Sequence, residues 1–447
     1  MINDKLKLVI MIRKILLCFC VIIAICSCNN NERADGRNPR DRKENLKVDE
    51  LKEGKNETPI GETNMQKKPV VNVYIENSGS MDGYVQGTAD FKTTVYSYLQ
   101  YIKIQNVCDS LNLFYLNSRI FPQGTVTDDN LEVLKYFVER LDPNSFRLKG
   151  TVPGENLRGT SDIDDLLRSI IKTTNENIIS ILVTDGIFSP GRGRNANEYI
   201  AAQKIGLMGT FSTLMDKINN AAVVLYKMES QFDGIYYDKI DTKIPFKGLR
   251  PYYIWVVGSA ENIAELLNKV PNSKFNNKPE EIFMISEVSH QPKYIVDDNF
   301  GNHKKNRNNN YVVEGLTKDK SGKVRFAVKV DFSGVLVDES YLSNPDNYFY
   351  NLNNYSLEIQ KLDKNPKYTH KLKFTSKDAR PHPGVMSIKL KMEEPKWAES
   401  SNDNYGETPL DGKTYGLKYQ LDGLYEAFTK NMKDNQKYYN DIKITIQ

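Results

Sequence analysis

The sequence predicts an α/β protein in which a doubly wound, mostly parallel sheet with helices on both faces is followed by a mostly-β, sandwich-like part. Three observations carry that expectation. Between residues 69 and 292, short apolar runs alternate with apolar residues at helical spacing, the pattern of strands buried between helices. From Val324 onward, apolar residues recur at every second position, the pattern of half-buried antiparallel strands. The chain of 447 residues is 39% hydrophobic and 26% charged, an ordinary globular composition that leaves about 380 residues for folded structure once its first 68 are set aside.

Those first residues read as address and tether. Lys5, Lys7, Arg13 and Lys14 precede an apolar stretch from Ile15 to Ile25 that is too short to span a bilayer comfortably, as in a secretory signal. The stretch ends in Ile25-Cys26-Ser27-Cys28, which resembles the bacterial lipobox, with Cys26 where Ala, Ser or Thr is commoner. The resemblance implies cleavage before Cys28 and lipidation of it. The expected location is the bacterial cell envelope, anchored to the outer membrane and facing the periplasm or the cell surface. Residues 29–68 are rich in Asn, Lys, Arg, Glu and Asp and almost without large apolar side chains, so they are expected to be a disordered tether. Of five cysteines, only Cys108 lies outside the signal and lipobox, so no disulfide framework is expected. The net charge of +4 forms no basic stripe, which argues against nucleic acid.

The elements of 69–292 follow in order. Val70 to Ile75 is a buried strand that ends in Glu76-Asn77-Ser78-Gly79-Ser80-Met81. Val95, Leu99 and Ile102 mark a helix, and Leu111 to Ile120 a strand. Leu131, Leu134, Phe137 and Leu141 mark a second helix, and Ile163, Leu166, Leu167, Ile170 and Ile171 a third. Ile178 to Val183 is a strand that runs into Thr184-Asp185-Gly186. A helix near Tyr199–Ile218, strands at Ala221–Met228 and Tyr252–Val257, and a helix carrying Ile263, Leu266 and Leu267 complete the region.

Three polar loops stand out: Glu76-x-Ser78-x-Ser80, Gly159-Thr160-Ser161-Asp162 and Thr184-Asp185-Gly186. In open α/β sheets ligands bind beyond the carboxyl ends of the strands. In order and spacing these loops resemble the metal-ion-dependent adhesion site of von Willebrand factor A domains, across roughly residues 69–290. The resemblance implies a vWA-like fold and a divalent-cation site in which Ser78, Ser80 and Thr160 supply hydroxyl oxygens. Glu76 and Asp185 would supply carboxylates. The implied ion is Mg²⁺, or Mn²⁺ or Ca²⁺, a hard cation suited to oxygen donors. Its remaining position would be filled by an Asp or Glu carboxylate of a protein partner. Glu76 departs from the aspartate usual in that family, and its extra methylene leaves open a domain that keeps the loops but no ion. Asp162 and Asp164 fit a helix's first turn, and Ser161 its N-cap.

An enzyme is the weaker expectation. A nucleophilic serine needs a base beside it, and all four histidines lie at or after His290. The third reading is therefore a hydrolase built on Ser78 or Ser80, behind a binding protein and a metal-free scaffold.

Residues 293–323 are polar, with Lys304, Lys305 and Arg307 among asparagines, and are expected to be a linker or long loop. In 324–447, Val324 to Phe332, Tyr355 to Ile359, Leu372 with Phe374, Met386 to Met392 and Ile442 to Ile446 alternate as strands. One helix, with Leu417, Leu421, Leu424, Tyr425 and Phe428 on one face, is expected to be inserted in the sandwich or set at its edge.

Overall fold

Seven strands make the first sheet: β1 (Val70–Glu76), β2 (Leu111–Leu116), β3 (Ile120–Val126), β4 (Ile178–Thr184), β5 (Ala221–Tyr237), β6 (Lys243–Ser259) and β7 (Glu281–Ser286). Their spatial order is β3-β2-β1-β4-β6-β5-β7. The computed structural model describes residues 68–447, apart from 88, 160, 161, 189, 288–290, 364, 366 and 433–436. The signal, Cys28 and the tether to residue 67 lie outside the described residues, which all belong to one unit, Met65–Gln447.

Helices cover both faces of this sheet. On one face lie α1 (Asp90–Ile104), α2 (Glu132–Glu139), α3 (Pro143–Lys149) and, after two more helices, α6 (Ala260–Lys269), with Val95, Leu99, Phe137, Phe146 and Ile263 in one core. On the other lie α4 (Ile163–Thr173) and α5 (Ala196–Lys217), with Leu166, Ile170, Phe211 and Leu214 packed around Trp255. The mixed α/β class thus stands, with one correction to the sheet. β1 pairs in parallel with β2 and β4, but every other neighbouring pair is antiparallel.

A long hairpin makes the β5–β6 pair antiparallel. β5 and β6 run 17 residues each, at least twice the stretches read as strands, Ala221–Met228 and Tyr252–Val257. Asp238 Oδ1 accepts from Ile240 N and Thr242 N at 2.9 and 2.7 Å, and Asp241 sits at φ +61°, a tight turn that can join only antiparallel strands. The outer half of the hairpin, Gln231–Leu249, is polar enough in sequence to pass for a loop.

Two strands occupy the segment expected to be a linker: β8 (Tyr294–Lys305) and β9 (Val312–Thr317). The correction has a plain reason. Only Val296, Val313 and Leu316 of this stretch are deeply buried apolar residues, so the outer part of the β8–β9 pair is wet and reads as loop. With β10 (Arg325–Val330), β11 (Tyr348–Tyr350), β12 (Tyr355–Lys361), β13 (His370–Ser376), β14 (Gly384–Leu390) and, beyond the two-residue strands β15 (Asn402–Asp403) and β16 (Thr414–Tyr415), β17 (Ile442–Ile446), they form a second sheet. It has eight strands in the order β11-β14-β17-β9-β8-β10-β13-β12.

This is one curled sheet in place of the expected sandwich. Its edge strands β11 and β12 follow each other in sequence, and Tyr350 Oη donates to Tyr355 O at 3.2 Å. Eight flat strands would set those edges about 34 Å apart, whereas five residues of chain reach under about 20 Å. The sheet must roll up, and Phe326, Tyr355 and Phe374 fill the inside.

The helix read from Leu417 to Phe428 is present as α7 (Leu417–Thr429), but its place is different. It packs against α5 of the first sheet, at a glycine. A Cβ on Gly423 would stand 2.8 Å from Lys204 O and 3.0 Å from Leu207 Cβ. Leu417, Leu421 and Leu424 therefore share one core with Trp255 and with the interior of the curled sheet. Cys108 is buried and free, and burial raises its thiol to about 11. Among the described residues no helix is long and apolar enough to cross a membrane.

Candidate functional site

The cleft arises where the winding of the sheet changes sides. The helix that follows β1 lies on one face, and the helix that precedes β4 lies on the other. β1 and β4 are parallel neighbours with Ile75 opposite Val183, so both loops leave the same edge of the sheet. Such a switch point opens a crevice at the carboxyl ends of the strands. Here it is about 720 Å³, lined among others by Glu76, Ser78, Ser80, Arg158, Asp233 and Tyr237. The last two come from the β5–β6 hairpin, which forms one wall.

The first loop is held by amides and an arginine. Asn77 Nδ2 donates to Phe146 O at 2.8 Å, and Asn77 Oδ1 accepts from Asn117 Nδ2 at 2.7 Å. Asn117 Nδ2 also reaches Gly150 O at 2.8 Å. Gly150 must be glycine here, since a Cβ would fall 1.7 Å from Asn77 Nδ2. Arg158 clasps the loop from the other side. Its Nε donates to Asn77 O at 2.6 Å, and its Nη2 to Ser78 O at 2.8 Å and to Asp82 Oδ1 at 2.5 Å. Arg147 Nε closes the cluster on Asp82 Oδ2 at 3.0 Å.

The sequence-predicted donors can now be placed. Ser78 Oγ and Ser80 Oγ are 2.9 Å apart. Glu76 is buried, and its Oε2 accepts a hydrogen bond from Thr184 Oγ1. Thr184 Oγ1 in turn accepts from Gly186 N at 2.9 Å, so one hydroxyl ties the two strand ends together. Asp185 is 2% exposed. Its Oδ1 accepts from Ile187 N at 3.2 Å, and its Oδ2 has no hydrogen-bond partner among the described residues. Burial pushes its carboxyl above the usual range, and the Ser80 hydroxyl and the Arg250 guanidinium pull against that. Glu76, Ser78 and Ser80 are thus brought to one cleft, with Asp185 beside Ser80. Thr160 lies outside the described residues, and its neighbour Gly159 lines the cleft.

Four residues of this site carried no motif signal. Asn77, Asn117 and Arg158 act through loop geometry that sequence spacing does not reveal. Arg250 lies in the stretch between the apolar halves of the hairpin strands. It is fully buried, with its guanidinium 4.8 Å from the centre of the Tyr236 ring. The C-terminal helix also reaches the site, since Gln420 Nε2 donates to Gly186 O at 2.5 Å. Lys239 N donates to Gly406 O at 2.8 Å, beside the exposed Ile240 and Tyr405.

Among the described residues no three His, Cys, Asp or Glu side chains cluster as a metal site, so a cation here must take hydroxyl oxygens as well as carboxylates. The oxygens present fit that demand. Two serine hydroxyls face each other, and a buried carboxylate oxygen has no donor among the described residues. Among the described residues no histidine lines the cleft. No family model, curated protein or solved structure matches the chain.

Proposed function

We propose that the protein is a non-enzymatic binding protein, held to a bacterial membrane by a lipid on Cys28, that engages a protein partner through a divalent cation in the β1–β4 cleft. The observation that carries this reading is the buried Asp185 Oδ2, which has no hydrogen-bond partner among the described residues and lies next to the Ser78–Ser80 pair. A buried ionised oxygen without a partner costs several kcal/mol, and a hard cation removes that cost. Glu76, Ser78, Ser80, Thr160 and Asp185 would share the ion, Mg²⁺ or another hard divalent cation. The resemblance of these loops to a von Willebrand factor A adhesion site agrees with such a role. A partner's Asp or Glu carboxylate would complete the coordination, and the exposed Ile240 and Tyr405 would add apolar contact at the rim.

Two observations favour a metal-free scaffold instead. Arg250 already sets positive charge near Asp185, and Thr184 already donates to Glu76. Thermal unfolding in Mg²⁺ against EDTA separates the two readings. A ligand at about 100 times its Kd stabilises the native state by about 2.7 kcal/mol. We expect such a rise for wild type and a larger one, at equal Mg²⁺, for Glu76→Asp, whose shorter arm draws the carboxylate back from Thr184. Equal melting temperatures with and without Mg²⁺, Mn²⁺ and Ca²⁺ in both forms favour the scaffold.

A further inference from the structure

The outer edge of the first sheet carries a second binding feature, remote from the cleft residues. β7 is the last strand of that sheet and among the described residues pairs only with β5. Glu287 N donates to Ala221 O at 2.8 Å, so alternate residues of the strand turn their backbone groups toward β5. Ile282, Met284 and Ser286 turn theirs away. At one end Trp397 Nε1 donates to Ile282 O at 3.4 Å, and at the other Leu336 N donates to Ser286 Oγ at 3.2 Å. Met284 is the edge residue between them, and on this side its N–H and C=O have no partner among the described residues. A groove of about 450 Å³ runs along it, walled by Tyr341 and Trp397.

The charge of the groove is one-sided. Among the described residues Glu280, Glu281, Asp338, Glu393 and Glu394 line it against a single cation, Lys396. Glu280 is paired with Lys227 at 3.1 Å and Glu393 with Lys391 at 3.6 Å, while Glu281 and Asp338 have no ion pair among the described residues. An unpaired strand edge recognises extended backbone, and acidic walls select basic side chains.

The geometry points to an extended, lysine- or arginine-bearing peptide strand of a partner protein as the occupant of this groove, hydrogen-bonded to the Met284 backbone with its cations against Glu281 and Asp338. The edge between Trp397 and Leu336 is short, so the recognised core is about three residues, each advancing about 3.3 Å. Binding is independent of the cation in the cleft.

Calorimetric titration of the protein with acetyl-Lys-Val-Lys-Val-Lys-amide tests this, with emission of the groove tryptophan Trp397 as a second readout. The basic peptide is expected to bind at least about tenfold tighter than its Glu-Val-Glu-Val-Glu counterpart. N-methylation of the backbone nitrogen of the central lysine removes one backbone donor and is expected to weaken binding about fivefold. The double variant Glu281→Gln with Asp338→Asn keeps the helix cap at 338 and is expected to weaken it by a similar factor. Equal binding of the acidic peptide, equal binding of the N-methylated peptide, or no binding of the basic peptide at millimolar concentration would each overturn the proposal.

Discussion

Gly150→Val is expected to lower stability by about 3–5 kcal/mol and to weaken cation binding at least about tenfold. The cause is local. At position 150 a Cβ falls on Asn77 Nδ2, and the nearest heavy atoms all belong to that one amide. The backbone there is in an ordinary region, φ −112°, so the effect is collision and not strain. Asn77 must swing away, which breaks its bonds to Phe146 O and Asn117 Nδ2 and leaves buried groups unpaired. Each such loss costs about 1–3 kcal/mol. The serines follow Asn77 directly, so the loop that presents them moves too. Two controls isolate the mechanism. Gly209→Ala, in helix α5 with open space at its Cβ, is expected to stabilise by about 0.5–1 kcal/mol. In an Asn77→Ala background, Gly150→Ala is expected to cost much less than in wild type, a coupling read from a double-mutant cycle of chemical denaturation. Equal costs in both backgrounds would place the damage elsewhere.

Trp255→Ala is expected to cost a similar amount, about 3–5 kcal/mol, for a different reason. Trp255 is fully buried and stacks on Phe211 at 5.9 Å between ring centres. Its core runs without a break from α4 and α5 through α7 into the curled sheet. A cavity there should weaken both sheets together. Far-ultraviolet and near-ultraviolet transitions are expected to shift as one, the mark of a single cooperative unit. Two separated transitions, with only the first displaced, would contradict the shared core. Trp255→Phe keeps the stacking and removes an Nε1 that has no hydrogen-bond partner among the described residues, so its loss is expected to stay below about 2 kcal/mol.

What could be read in advance follows from which signals are local. β1 and β4 were legible because a strand buried on both faces must be an apolar run, as Val71 to Ile75 and Ile179 to Val183 are. Helix α4 was legible because Leu166, Leu167, Ile170 and Ile171 keep helical spacing. The outer hairpin was not, because Gln231, Asp233 and Lys247 face water and dilute the pattern. β8 and β9 failed for the same reason. The position of α7 was beyond periodicity, since an apolar stripe shows that a helix is covered and not what covers it. At the site the motif residues were legible by type and spacing, and the structure brings Glu76, Ser78, Ser80 and Asp185 to neighbouring strand ends. The groups that hold them were not. Asn77, Asn117, Gly150 and Arg158 meet only through the fold, and Arg250 arrives from the hairpin.

That arrangement leaves one question on which the functional account rests, namely whether the cleft takes a divalent cation. Calorimetric titration of the folded protein with Mg²⁺ answers it, with Asp185→Asn as the comparison. The amide keeps the shape and the acceptor for Ile187 N but removes the buried charge. The account predicts one Mg²⁺ per chain for wild type and at least about a tenfold loss of affinity in the variant. No heat of binding in wild type, or equal binding by both forms, would contradict it.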